Sequence, residues 1–240
     1  MGTPLATDRL RAIPFFQGLP DDALAALAAR MRPLAVRAGV NLIAVEQPGE
    51  VLYIVLAGTV KVYVEQADGT EVILAILGPG EIVGEMSVVD SLQRSASVVT
   101  LEDATLARID RRAFWAALEA NPQLTTNLVM ILSRRLRLAN TRVQADATLD
   151  VVGRVAMQLL ALAQELGEPE AGGRVRIPIR LSQADLAGLV GASRVRVNQV
   201  IVDFKRGGYL TVDRHLRVTL RDQQALRGLV GDDLLAPDPS

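Results

Sequence analysis

Three strand-like runs follow one another closely in the first third of the chain: Val51-Leu52-Tyr53-Ile54-Val55-Leu56, Thr59-Val60-Lys61-Val62-Tyr63-Val64 and Glu71-Val72-Ile73-Leu74-Ala75-Ile76-Leu77. Turn signals bound them: Ala57-Gly58, Ala67-Asp68-Gly69 and Gly78-Pro79-Gly80. Asp68-Gly69 between two alternating runs is a hairpin signal. Short strands at this spacing, with glycines at the corners, indicate an antiparallel barrel or jelly roll over roughly 34–109. Before it, Leu24, Leu27, Ala28 and Met31 recur at helical spacing after Pro20-Asp21-Asp22.

From Asp110 the pattern turns helical, with a break near Asn121-Pro122. Residues 123–146 contain neither glycine nor proline and read as one long helix. Leu128, Leu132, Leu136, Ala139 and Val143 form a seam at coiled-coil spacing. Two readings stand: an amphipathic helix packed on its own barrel, or a parallel dimer helix. A joint over Leu149–Gly153 follows, then a helix to Leu166, a loop from Glu168 to Gly173 and a short strand from Arg174. The tail 232–240, rich in Pro and Asp, is expected to be disordered. The expected division is 1–122, 123–149, 150–231 and this tail. The fold class is α+β, with an N-terminal antiparallel barrel or jelly roll, a long central helix and a C-terminal winged helix-turn-helix.

Composition removes whole classes of chemistry. There is no cysteine and one histidine, His215, in 240 residues. Disulfides, thiolate zinc sites, iron–sulfur clusters and cysteine nucleophiles are excluded, and a histidine-based acid/base pair or metal cluster has little material. Haem sensing is disfavoured for the same reason. No nucleophile–base pair and no Gly-rich NTP loop is found, so no enzyme is expected. No apolar run is long enough to span a membrane and the N-terminus carries no secretory pattern, so the expected location is the cytoplasm. Charge is mildly acidic up to residue 149 and mildly basic from 150 to 230, which fits nucleic acid weakly.

Two constellations carry chemistry. The first is Gly84-Glu85-Met86-Ser87 with Arg94-Ser95-Ala96, joined by an apolar turn and a polar loop from Val88 to Gln93. A glycine admits a ligand close to the backbone, a glutamate accepts from hydroxyls, and an arginine beside a serine can clamp a phosphate. That set suits a cyclic nucleotide. The competing reading is a surface loop in which Glu85 and Arg94 pair with each other.

The second constellation is a helix-turn-helix. Ser182 caps a helix with Asp185 at its third position, and Gly191 supplies the turn. Ser193 caps a second helix with Val197, Val200, Ile201 and Phe204 on its buried face. Arg194, Val195, Arg196, Asn198 and Gln199 are left exposed, the set a recognition helix presents to a major groove. A hairpin around Asp213-Arg214-His215 reads as a wing. Ser182, Gln183, Lys205 and Arg214 are candidate phosphate contacts.

With both in view, the chain resembles the CRP/FNR family of bacterial regulators over nearly its whole length. The likeness rests on Gly84-Glu85…Arg94-Ser95-Ala96, on Arg134-Arg135-Leu136, on Leu149-Asp150-Val151-Val152-Gly153-Arg154, and on Ser182 to Leu210 with Gly191-Ala192-Ser193-Arg194. It implies a homodimer that binds a palindromic double-stranded DNA operator, with RNA polymerase as a further partner. It also implies cyclic AMP as effector: Arg94 on the phosphate, Ser95 donating beside it, Glu85 on the ribose 2′-OH and Gly84 giving backbone access. Met86 and Ser87 complete the cassette, and Arg135 and Asn140 join the ligand set from the long helix.

Two departures matter. Family members that grip adenine carry two adjacent small polar residues where this chain has Ala139-Asn140. A ligand-independent or other-ligand regulator therefore stays open, as does a nucleotide-binding module of another system, which the helix-turn-helix opposes. In the recognition helix the family's Arg-Glu is Arg194-Val195 here, and a later arginine is Gln199. Arg194 can fork onto guanine, Val195 can meet a thymine methyl and Gln199 suits adenine. The half-site is expected to keep an early G and favour A·T pairs near its centre; the alternative is an unchanged half-site read by Arg194 and Arg196.

Overall fold

The computed structural model describes residues 7–231; the expected tail 232–240 lies outside them. The described chain falls into two compact units, one made of residues up to 66 with 73–136, the other of 67–72 with the residues from 137 on. The division falls inside the long helix rather than at its ends.

The first unit opens with helix α1 (Thr7–Arg11), a 3-10 turn at Pro14–Phe16 and helix α2 (Asp21–Ala28). Strands β1 (Arg32–Val36), β2 (Asn41–Ile43), β3 (Val51–Ala57), β4 (Val60–Glu65), β5 (Glu71–Leu77) and β6 (Ile82–Val83) follow. A short helix α3 (Glu85–Asp90) interrupts them before β7 (Ser97–Thr100) and β8 (Ala104–Asp110). Two four-stranded sheets result, ordered β1-β8-β3-β6 and β2-β7-β4-β5. This is a two-sheet jelly roll rather than a closed barrel.

Strand β3 is apolar throughout because both its faces are covered. Tyr53 and Val55 meet Ile43, Val60 and Val98 of the other sheet. Leu52 and Ile54 face a second cluster built by the helices, with Leu24, Phe15, Phe114 and Leu124. Helix α4 (Arg111–Ala120) starts where the Asp110 carboxylate accepts from the Ala113 N–H.

Helix α5 (Pro122–Thr148) carries the seam residues through both units. Leu128 is buried in the first unit's core and the half-buried Leu132 packs against it, as the reading of a helix packed on its own jelly roll expects. Leu136, Ala139 and Val143 are exposed. Asn127 was not marked by sequence reasoning, yet it is buried and bridges α5 to the N-terminal turn. Its Nδ2 donates to Phe15 O at 2.9 Å and Gln17 O at 2.8 Å, and its Oδ1 accepts from Gln123 Nε2 at 2.9 Å.

In the second unit, Asp150 caps helix α6 (Val151–Leu166) by accepting from the Gly153 N–H at 2.9 Å. The expected joint at Leu149–Gly153 therefore shrinks to Leu149-Asp150. A four-stranded sheet accompanies the remaining helices, built of β9 (Glu168–Glu170), β10 (Arg174–Ile177), β11 (Leu210–Val212) and β12 (Val218–Leu220) in the order β11-β12-β10-β9. Its strand β9 (Glu168–Glu170) lies where a loop was expected, and β10 (Arg174–Ile177) pairs with it antiparallel. Proline is tolerated on an edge strand, and Glu168 and Glu170 stand opposite Arg176 and Arg174, a pairing of opposite charges. Helices α7 (Gln183–Val190) and α8 (Arg194–Arg206), strands β11 (Leu210–Val212) and β12 (Val218–Leu220), and helix α9 (Gln223–Gly228) complete a winged helix-turn-helix.

Replacing Asn127 by Leu keeps the side-chain volume but strips two carbonyls of their donor. The variant is expected to lose about 2 kcal/mol of stability in urea unfolding followed by far-UV circular dichroism; an unchanged midpoint would show that the carbonyls find other donors.

Candidate functional site

The cassette predicted at Gly84–Ala96 is built as a short helix and a returning loop. The stretch expected to be an apolar turn is helical as far as Asp90. Gly84 stands at the N-terminus of α3 with φ of 84°, a left-handed conformation that favours glycine. A side chain there would meet Arg94 Nη1 and Ile43 Cδ1, each at 2.8 Å. Glycine is thus required twice, by conformation and by the approach of Arg94.

Arg94 is 6% exposed. Its Nη1 donates to Gly84 O and to Ser87 Oγ, both at 2.7 Å, and its Nη2 to Val51 O at 2.5 Å. Its backbone pairs with the loop at Glu46-Gln47. Among the described residues no carboxylate lies within salt-bridge reach of it. Burial pulls Arg94 below the ordinary arginine value, and the fields of Tyr53, Glu85 and Glu50 oppose that pull. Glu85 and Arg94 do not pair with each other, so the surface-loop reading fails. A buried guanidinium balanced by two carbonyls and a hydroxyl is a strong place for an anion.

Glu85 is 4% exposed and meets a residue of the long helix. Arg135 Nη1 donates to Glu85 Oε1 at 2.8 Å, while its Nη2 donates to Glu81 Oε2 at 2.8 Å and to Ile82 O at 2.6 Å. Arg134 adds a second bond to Glu81. Burial alone would lower Arg135, but Glu85 and Glu81 outweigh it and hold the guanidinium above its usual value. The structure thus brings Gly84, Glu85, Ser87, Arg94 and Arg135 together. Met86 and Ser95 are exposed at the rim, and Asn140 is exposed on α5 in the second unit.

Sequence reasoning missed three contributors. Glu81 holds Arg135, and Val51 lends a carbonyl to Arg94. Gly49 backs Ser87 so closely that a side chain there would come within 2.5 Å of the hydroxyl. Only Gly49 left a signal, a glycine just before a strand.

The second candidate interface is in the helix-turn-helix. Ser182 and Asp185 form the expected capping box, and Gly191 takes the left-handed turn with φ of 60°. Ser193 Oγ accepts from the Arg196 N–H at 3.3 Å and starts α8. Val197, Val200, Ile201 and Phe204 are buried as expected. Arg194, Val195, Arg196, Asn198, Gln199 and Lys205 are exposed, with Val195 at 81%. Gln183 Nε2 donates to Asn198 Oδ1 at 2.6 Å, so the two helices share a polar edge. In the wing, Arg214 is exposed and its Nε donates to His215 Nε2 at 3.0 Å. Arg142 of α5 donates to Leu189 O at the last turn of α7, tying the far end of the long helix to the helix-turn-helix.

A two-sheet jelly roll with a buried arginine, a long helix and a winged helix-turn-helix defines a DNA-binding transcription regulator. The cyclic nucleotide-binding domain family matches residues 33–121 and the Crp-like helix-turn-helix domain family matches residues 153–229. A CRP-like cAMP-activated global transcriptional regulator of Mycobacterium tuberculosis is 37% identical over 198 residues, covering 82% of this chain and 88% of that protein. The cyclic AMP receptor protein of Thermus thermophilus is 33% identical over 193 residues, covering 80% and 85%. Among solved structures, FixK2 of Bradyrhizobium japonicum shares the fold with a TM-score of 0.74 at 21% identity, covering 86% of this chain and 99% of its own. The c-di-GMP responsive global regulator CLP of Xanthomonas campestris gives a TM-score of 0.69 at 25% identity, covering 84% and 99%. The chain belongs to the CRP/FNR family and is a transcription regulator, not an enzyme. No helix among the described residues is long and apolar enough to cross a membrane.

Removing Arg135 strands Glu85 in a buried position. Arg135→Ala is expected to cost about 2 kcal/mol, less than breaking a fully buried pair because Arg135 is partly exposed. Adding Glu85→Gln should recover part of that loss. Denaturant melts of the single and double variants decide, and equal melts for both would contradict the pairing.

Proposed function

We propose that this regulator is controlled by a cyclic nucleotide, cyclic AMP foremost, whose phosphate engages Arg94. The observation that carries the reading is the burial of Arg94 without a carboxylate partner among the described residues. The relatives named as cAMP-activated support the choice of ligand. Ser87 sets its hydroxyl against the guanidinium, and Ser95, next in the chain to Arg94, is exposed. A ribose hydroxyl donating to Glu85 would alter the bond that Arg135 makes to the same carboxylate, and Arg135 lies on α5. The same helix holds α7 through Arg142. Effector binding thereby biases α5, and α5 biases the reading head, by no more than the effector's differential affinity for the two states.

The active species in this reading is a homodimer. Val129, Leu136 and Val143 recur every seven residues on α5 and are 57%, 63% and 68% exposed. A groove of about 530 Å³ lined by Leu118, Pro122, Thr125, Thr126, Val129 and Met130 continues this apolar surface. A seam at coiled-coil spacing is the surface a second copy of the helix covers. The two α8 helices then enter successive major grooves of a palindromic operator, roughly 34 Å apart. Arg194 reads an early guanine, Val195 a thymine methyl, and Ser182, Gln183, Lys205 and Arg214 contact phosphates. RNA polymerase is the expected partner of the bound dimer.

One observation favours a second reading, a regulator competent without effector. The cassette's charged groups already have internal partners: Arg94 on carbonyls and Ser87, Glu85 on Arg135.

The single tryptophan, Trp115, reports on the site. Its Nε1 donates to Val88 O of α3 at 3.1 Å. Titrating cyclic AMP is expected to shift its emission in the full chain and to leave it unchanged in Arg94→Ala, with Arg94→Lys weakened at least about tenfold by loss of the fork. An identical titration in Arg94→Ala would remove the cassette assignment; a flat titration in every protein would favour the second reading. Separately, Leu136→Asp with Val143→Asp is expected to convert a dimer to a monomer by light scattering. A dimer that survives both charges would exclude the seam.

A further inference from the structure

The wing between β11 and β12 turns through Arg214, His215 and Leu216. Asp213 and Arg217 flank this loop and pair, the Asp213 N–H donating to Arg217 O at 3.0 Å. The Leu216 N–H closes the turn on Asp213 O at 3.1 Å. A hairpin loop of this length commonly ends on a left-handed residue, a place suited to glycine. Here that residue is Leu216, with φ of 61°.

A leucine in this conformation has to be held there. Asp213 Oδ1 accepts from the His215 N–H at 2.8 Å and from the Arg217 N–H at 2.9 Å, the residues on either side of Leu216. The Leu216 carbonyl then accepts from the Leu181 N–H at 3.0 Å. Leu181 directly precedes Ser182, the cap of α7, so the wing is fastened to the start of the helix-turn-helix. The bond from Arg217 foremost, then that from His215, holds the Asp213 carboxyl below the usual carboxylate range against its desolvation. Asp213 is therefore ionised at neutral pH, and an ionised acceptor holds an N–H more strongly than a neutral one.

We infer that Asp213 is a positioning residue for the DNA backbone: its carboxylate braces the wing against α7 and so fixes where the Arg214 guanidinium meets a phosphate. The placement of an acid here is otherwise unfavourable. Asp213 is exposed beside Arg214 and repels the phosphates that Arg214 is to meet. Arg176, whose Nη2 is 3.9 Å from Asp213 Oδ2, offsets part of that charge. What the acid contributes is order. An arginine on a loose loop loses much of its attraction to the entropy of ordering that loop, whereas an arginine on a braced loop keeps it.

The inference rests on the proposed reading of the wing as a phosphate contact, and the experiment separates failure of one from failure of the other. Operator binding is measured by fluorescence anisotropy with the full chain at fixed salt, with cyclic AMP present and absent. Arg214→Ala is made in the unaltered chain, in Asp213→Asn and in Asp213→Ala. Both substitutions at 213 remove the charge, so its repulsion cancels between them; Asn alone keeps an acceptor oxygen for the His215 and Arg217 N–H groups. Arg214→Ala is expected to weaken binding about fivefold or more in the unaltered chain and in Asp213→Asn, uniformly over operator sequences. In Asp213→Ala the same change should weaken it less than about twofold. Amide exchange in the wing should be about tenfold faster in Asp213→Ala than in Asp213→Asn.

An effect of Arg214→Ala that is the same in Asp213→Asn as in Asp213→Ala overturns the brace, and so do equal exchange rates; a loss in the unaltered chain then still leaves Arg214 on the DNA. If Arg214→Ala changes nothing in the unaltered chain, the wing does not meet the backbone, and the positioning role falls with that reading.

Discussion

The contact between Glu85 and Arg135 is the constraint from which the rest of this molecule's behaviour follows. It joins the short cassette helix α3 to the long helix α5 through a carboxylate that is almost wholly buried. Such a pair contributes little net stability compared with apolar packing, because desolvating both charges costs about as much as their attraction returns. Its value is directional. Any ligand group that bonds Glu85 changes what Arg135 feels, and Arg135 is part of a helix that continues to the reading head's own anchor at Arg142. Arg94 complements it with the opposite arrangement, a buried cation compensated by dipoles.

Helix α5 changes its surroundings along its length. Near its start Leu124, Asn127 and Leu128 are buried in the first unit. Further along, Leu136 and Val143 are left in solvent. Burial of Asn127 against the carbonyls of Phe15 and Gln17 commits the start of α5 to the jelly roll, and the exposed Leu136 and Val143 are the surface that the proposed second copy would cover.

Much of this was legible in the residues. The glycine-bounded strand runs announced antiparallel sheets, and the Ser182–Asp185 box and Gly191 announced the first helix of the reading head with its turn. These signals are local, and local backbone rules decide them. The seam left two readings because its residues share one face of the helix, and burial changes along the axis rather than around it: Leu128 is buried, whereas Leu136 and Val143 are exposed. Strand β9 was hidden because Glu168-Pro169-Glu170 looks like a loop until Arg174 and Arg176 stand opposite it. Glu81 and Val51 were invisible for another reason: the acid that holds Arg135 and the carbonyl that accepts from Arg94 are placed by pairing residues distant in sequence, whereas Gly49 showed only as a glycine before a strand.

The most direct test of the central claim is fluorescence anisotropy of a labelled palindromic operator titrated with the full chain, at fixed salt, with no nucleotide, with cyclic AMP and with cyclic GMP. Control through the cassette predicts tighter operator binding with cyclic AMP, by about tenfold or more, and a smaller or absent effect of cyclic GMP. Superimposable curves in all three conditions would contradict it.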